Sequence, residues 1–483
     1  MKLVRIDRPQ EPSRRSFLKT AGVAAAAAGA SQPGAAAPEA PFLDAPLKRI
    51  AVVRGAFLYP PTETLRKAGY YSWPGATFDA EGRHREYRAT LAALERRLGI
   101  RIDMDEAPLD APASVARFIA GVRAAKPDGI LLIPFKKSHW THVRRIVAET
   151  AVPSVVLATL GILLVDHINE LRNEKGVYLI NSLDNLDAVA YGLRMIRTAR
   201  VMRESRIVNI AGSAPRRTAV PRLGTQIVTI PGACFVGAFN AIRAKGDSAD
   251  LARTYRSGAQ QVLQPSDDDI FDAAKAYFAL KRIVASTQAD ALMMDCLPGL
   301  QLPHRHVPPC MGFMSLRDEG IPAGCQSDLS ATLTLMLVQQ LFDKPGFQQN
   351  ASMETERNLY FGAHCTCPSK LAGPSGPAEP YILMSHAEAG WGCVPRVLWP
   401  KGRAVTLAQY LPGETPRMHI YGGTIAGCPD IARTGGCRTN LEMTVDGVED
   451  ACTVKGMHQV IFYGNHVKQL RAFCQMYGIA VET

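Results

Sequence analysis

No cysteine occurs before Cys234 in this 483-residue chain, and no two of its eleven cysteines form a C-x-x-C pair. Zinc-ribbon and iron–sulfur spacings are thereby excluded. What remains is Cys365-Thr-Cys367 and the loop pair Cys428 and Cys437. Most of these thiols read as small buried apolar residues, and Cys428–Cys437 is the one pair expected to bridge. Cofactor loops are missing as well: no G-x-G-x-x-G follows a strand, and no G-x-x-x-x-G-K-[ST] occurs. No Lys/Arg stripe interleaved with aromatics is present, which sets nucleic acid aside as a partner. Past the N-terminal region, Leu160-Gly-Ile-Leu-Leu-Val165 is apolar but far short of the about twenty residues a spanning helix needs. No stable membrane insertion is expected. There is no internal repeat.

What the chain does carry is an address. Ser13-Arg14-Arg15-Ser16-Phe17-Leu18-Lys19 runs directly into the alanine-rich stretch from Ala21 to Ala30. Paired arginines followed by Phe-Leu-Lys and a weakly apolar run read as a twin-arginine export signal. Ala35, Ala36 and Ala37 before Pro38 suit a cleavage site. The expected location is periplasmic or otherwise exported. This route carries proteins already folded, often with a metal or cofactor inserted. The net charge is +11; six basic and three acidic residues in the first forty leave +8 for the rest, spread among acidic neighbours. Apolar content of 47% with 20% charged residues fits a globular enzyme.

Without residues 1–40, the remainder is long enough for two or three domains of about 150 residues. From Arg49 onward strands and helices alternate. Ile50–Val53, Ile100–Met104, Gly129–Ile133 and Ser154–Leu157 read as strands, separated by helices over 87–98, 113–125 and 139–150. This pattern predicts an open α/β sheet over 46–172. A second α/β unit is expected over 173–345, with strands at Val177–Ile180, Arg206–Ile210, Thr225–Ile230 and Ala291–Asp295. Its helices are expected at 186–202, 233–245 and 268–286, and a long apolar helix at Leu329–Phe342. Asp267-Asp268-Asp269 lies at a helix start, where capping is the expected role. After Gly346 proline and glycine become dense, and short strands such as Tyr381–Met384, Ala404–Leu407, Met418–Tyr421 and Gln459–Tyr463 predict an antiparallel β domain over 346–483.

Three segments concentrate carboxylates and imidazoles: Gly320–Ser330, an expected loop from Met353 to Pro368, and Lys455–His466. Carboxylates and imidazoles from separated segments can converge on one divalent metal; oxygen-rich sites with one histidine suit Mn²⁺ or Mg²⁺, and more nitrogen favours Zn²⁺. Gly320 through Leu341, the Met-Glu before Gly-Ala-His364, and Gly-Met-His458 with Ala472-Phe-Cys-Gln-Met-Tyr-Gly-Ile479 resemble the C-terminal half of the L-fucose/L-arabinose isomerases. The resemblance implies two Rossmann-like α/β domains followed by an antiparallel β-barrel domain, in a homo-oligomer. It also implies aldose–ketose isomerisation through an enediol, with Mn²⁺ (Zn²⁺ or Mg²⁺ as alternatives) polarising the sugar oxygens.

Carried over residue by residue, the resemblance implies Glu354 as metal ligand and acid/base, and His364 and His458 as ligands. The first acidic ligand falls on Gln326, which can coordinate through its carbonyl oxygen but has no charge and cannot act as a base; either Asp328 takes over as ligand and catalytic group, or the metal is held more weakly, or the reaction differs. Gln459 stands where the family has a second histidine. His386, two residues before Glu388, is expected to bind a sugar hydroxyl together with His364. Asn209–Ala214 and Lys136-Lys137 beside His139 are further positions that can face a ligand, while Trp391 and Trp399 read as packing. The expectation is an exported sugar-isomerase-like enzyme. The alternative is a catalytically altered periplasmic sugar-binding protein of the same fold.

Overall fold

Short apolar runs and capped helices alternate through the first half of the chain, and they assemble as parallel sheets. The computed structural model describes residues 50–68, 78–243, 245–300, 306–430 and 436–483; the signal expected over 1–40 lies outside the described residues. β1 (Val52–Leu58), β2 (Arg101–Met104), β3 (Gly129–Pro134), β4 (Ser154–Thr159) and β5 (Val177–Ser182) form an all-parallel sheet in the order β2-β1-β3-β4-β5. Local chemistry sets the helices between them. Asp79 caps helix Ala80–Leu98 by accepting from the Gly82 N–H, and Gly99 ends it in the left-handed conformation, φ 61°. β3 is buried at every position, as a central parallel strand requires.

The boundary expected at residue 173 is displaced. Val177–Ser182, read as opening a second unit, pairs instead with β4. Helix Val165–Arg172 is a short crossover that returns the chain to the same sheet, where β5 pairs with what would otherwise be the open edge of β4. The second sheet therefore starts at β6 (Arg206–Ile210) and also holds β7 (Arg216–Ala219), β8 (Gln226–Ile230), β10 (Ala291–Met294) and β11 (Ala323–Cys325); β9 (Gln261–Val262), between β8 and β10 in the chain, lies outside it. Its order is β11-β10-β6-β8-β7, parallel except for β7. The helix expected over 233–245 ends at Asn240, and a second, Asp247–Gly258, follows it. Ser266, not an aspartate, caps helix Asp267–Ser286; Asp269 closes the capping box and also accepts from the Gly392 N–H.

β12 (Phe347–Glu354), β13 (Leu359–His364), β14 (Tyr381–Met384), β15 (Val394–Val397), β16 (Ala404–Leu411), β17 (Arg417–Gly427), β18 (Thr439–Val445), β19 (His458–Tyr463) and β20 (Ala480–Glu482) complete the chain. Six of them close into an antiparallel barrel, β16-β19-β12-β13-β18-β17, through the β16–β17 pairing; β20 adds alongside β17. Tyr381–Met384 lies outside the barrel, in a small sheet with β15 and β9. Side-chain alternation divides the barrel strands between two cores. Phe347, Tyr360, Leu407, Leu441 and Ile461 pack inside. Ala408, Tyr410, Met418, Ile420, Val460 and Phe462 point outward into a core shared with both parallel sheets and helix Leu329–Phe342.

Polar side chains fasten the second sheet to that outer face. Gln348 pairs its amide with the Cys325 backbone, accepting from N–H at 2.8 Å and donating to C=O at 3.2 Å. Arg317, only 1% exposed, donates to the Ala323 and Thr366 carbonyls. These bonds place the end of β11 directly against β12 and β13.

Candidate functional site

In each parallel sheet the first strand lies between the second and third parallel strands, so connections leave it in opposite directions. A crevice opens at such a point, beyond the carboxyl ends of the strands. In the second sheet it lies between β6 and β10. The loop Gln326-Ser327-Asp328 crosses it: the Ser327 N–H donates to the Met294 carbonyl at 3.0 Å, and its hydroxyl donates to Asn209 Oδ1 at 2.7 Å. Gln326 and Ser327 both hold positive φ, 57° and 51°, an uncommon pair of conformations for residues other than glycine. They turn the chain so that Asp328 can cap helix Leu329–Phe342, its Oδ1 accepting from the Ala331 N–H at 2.7 Å.

The second oxygen of Asp328 meets the barrel. Oδ2 lies 2.8 Å from His458 Nδ1. An ionised carboxylate only accepts, so His458 donates from Nδ1 and, when neutral, presents the lone pair of Nε2. The Asp328 side chain is 19% exposed and that of His458 8%, so the pair is partly open on the Asp328 side. His364 stands opposite, with ring centroids 6.0 Å apart. Its Nδ1 accepts from the Cys365 N–H at 3.0 Å. The proton of the neutral ring is therefore on Nε2, and that buried N–H has no partner among the described residues. Burial, then the charge of Arg317, pushes His364 down to about 3, so the ring is neutral at ordinary pH. His386, buried nearby, is pushed down to about 4 by burial and by Arg438; its Nδ1 accepts from the Ala389 N–H.

A row of outward-facing barrel residues continues from His458. Asn350 is opposite His458 on one side and Ala363 on the other, and Ala363 is opposite Asn440. The small Ala363 leaves a gap between two amides. Asn440 is 4% exposed, and its Oδ1 has no partner among the described residues, an arrangement that fits an absent hydroxyl donor.

Glu354 is not part of this grouping. Residues 353–368, expected to be a loop, begin as the β12–β13 hairpin, in which Glu354 is opposite Leu359. His364 is five residues further along β13, roughly 17 Å away at ~3.3 Å per residue. Glu354 accepts instead from Arg357 Nε at 2.6 Å and from the Glu356 and Arg357 N–H groups at the hairpin tip. The implied metal set therefore does not fit. Glu354 is remote, both Asp328 oxygens are engaged, and His364 presents a proton where a ligand needs a lone pair. His458 Nε2 and the Gln326 amide remain. Among the described residues no three of His, Cys, Asp or Glu are grouped to hold an ion.

Cys428 and Cys437 are not joined. Cys428 Sγ accepts from the Trp399 N–H at 3.1 Å, while Cys437 contacts Cys365. Trp399 is buried against Phe347 and Tyr463, as packing.

Comparison with known proteins identifies a TAT (twin-arginine translocation) pathway signal sequence at residues 11–31. The chain is thus addressed for export through that pathway. No curated protein matches the chain. Among the described residues no helix is long and apolar enough to cross a membrane.

Proposed function

We propose that this is an exported enzyme that moves a proton at a carbon next to a carbonyl, acting on a sugar or sugar derivative; aldose–ketose isomerisation is the simplest case. The observation that supports it is the Asp328–His458 pair with the His364 ring 6.0 Å from that of His458 and its Nε2–H left without a partner among the described residues. His458 Nε2 takes the proton from the carbon, and Asp328 stabilises the imidazolium that forms. The neutral His364 donates to the carbonyl oxygen as negative charge develops there, and an enclosed donor of this kind is worth more than one in water. His458 then returns the proton to the neighbouring carbon. Asn350 and Asn440 suit the remaining hydroxyls, so an uncharged polyol is the expected substrate class. A metal centre of the isomerase type supplies no step here, because Glu354 and Asp328 are otherwise engaged.

The deciding measurement is deuterium incorporation at carbon from heavy water, over a panel of aldoses and ketoses, for wild type beside His458→Ala. The reading expects exchange by the wild type and a loss of about 10²–10⁴-fold in the variant. Exchange that survives in His458→Ala would sink it. The second reading, a sugar-binding protein without catalysis, draws on the uncharged Gln326 and the displaced Glu354; saturable sugar binding with no exchange in the wild type would favour it.

A further inference from the structure

We infer that Cys365 and Cys437 are joined as a disulfide once the protein has been exported, and that this bond braces the strand end carrying His364. The inference starts from the order of events. A twin-arginine signal delivers a chain already folded, so thiols reach an oxidising compartment with their neighbours fixed. Only thiols that already touch can then pair without rearranging the backbone.

Two thiol pairs touch among the described residues. Cys296 Sγ and Cys325 Sγ are 3.4 Å apart. Cys437 packs against the small buried cluster of Cys365, Cys310, Met384 and Val394, its thiol beside that of Cys365. Access separates the two. Disulfide formation proceeds through a mixed disulfide with the oxidant, which requires one sulfur to be reached from outside. Cys296 and Cys325 are each 3% exposed and sealed. Cys437 is only partly buried, while Cys365 is buried. Cys437 thus attacks the oxidant's disulfide first, and Cys365 then attacks the Cys437 sulfur of the mixed disulfide, releasing the reduced oxidant.

The balance is that of thiol–disulfide exchange. The two Cys S–H groups lose two protons and two electrons, the Cys365–Cys437 S–S bond forms, and the disulfide of an exported thiol oxidant is reduced to its dithiol. Topology gives the bond its effect. His364 is opposite Thr439 in the β13–β18 ladder, so Cys365 and Cys437 lie just past its end. The bond would pin that end, holding the Cys365 N–H against His364 Nδ1 and Asn440 close by.

The test uses the full-length protein recovered from the exported fraction without reductant, and the same protein retained in the cytoplasm by Arg14→Lys/Arg15→Lys. Free thiols are blocked with an alkylating agent under denaturing conditions, then peptides are mapped before and after reduction. The exported form should lack the mass of two hydrogens and give one linked pair, Cys365–Cys437, with Cys296 and Cys325 both alkylated without reductant. Cys437→Ser should abolish the link, and Cys365→Ala should do so independently should either variant fold poorly. Alkylation of all eleven cysteines in the exported form, or a link at Cys296–Cys325 or Cys428–Cys437 instead, would overturn the inference.

Discussion

His139 and His386 are both enclosed, 6% and 7% exposed. Each is pushed down to about 4, by burial first and then by His142 and Lys136 for His139 and by Arg438 for His386. The unfolded chain protonates both near 6.5. Between those values the unfolded state binds more protons, so the stability from keeping the rings neutral is full above 6.5 and is lost as the pH falls. The expected slope is about 1.4 kcal/mol per pH unit for each ring. Denaturant midpoints at pH 7, 5.5 and 4.5 check it: His139→Gln and His386→Gln should each remove about one proton from the slope. Asp328→Asn separates two roles of one side chain. Asparagine still caps a helix, so stability should move little, while the loss of the partner carboxylate should lower turnover by about 10²-fold or more. Glu354→Ala should leave turnover within about twofold and cost under ~1 kcal/mol, as expected for an exposed pair with Arg357. A large drop in turnover would return Glu354 to the chemistry.

Elements explain which parts were legible in advance. Helix Ala80–Leu98 has an aspartate cap and a terminal glycine, and β3 is an unbroken apolar run; both could be located from the sequence. The hairpin β12–β13 could not. Gln348, Gln349 and Asn350 place polar groups on both faces of β12, because one face points into the barrel and the other docks on β11. A strand with protein on both sides shows no period of two. Reading it as a loop let Glu354 and His364 converge, when they belong to different ends of one hairpin. The same docking makes a prediction. Arg317→Met leaves two buried carbonyls without donors and unseats β11 from the barrel. The expected cost is about 3–5 kcal/mol, measurable by chemical denaturation, with site activity falling in parallel.

The two parallel sheets and the barrel do not divide the molecule into independent parts. Residues 42–483 form one compact unit, and helix Leu329–Phe342 packs in the core shared by both parallel sheets and the barrel. The last helix, Val467–Tyr477, reaches back to the first sheet. Gln475 donates to the Arg172, Glu174 and Val177 carbonyls, and the Tyr191 hydroxyl donates to the Gln469 carbonyl. A chain ending after residue 466 should therefore lose cooperative melting throughout, rather than shed a tail; circular dichroism and proteolysis would show it. This closure has a temporal meaning as well. Gln475 and Val177 stand 298 positions apart, so the first sheet is laid down long before the segment that seals it is made. A polypeptide stopped short of Val467 would carry its export signal on an unsealed sheet.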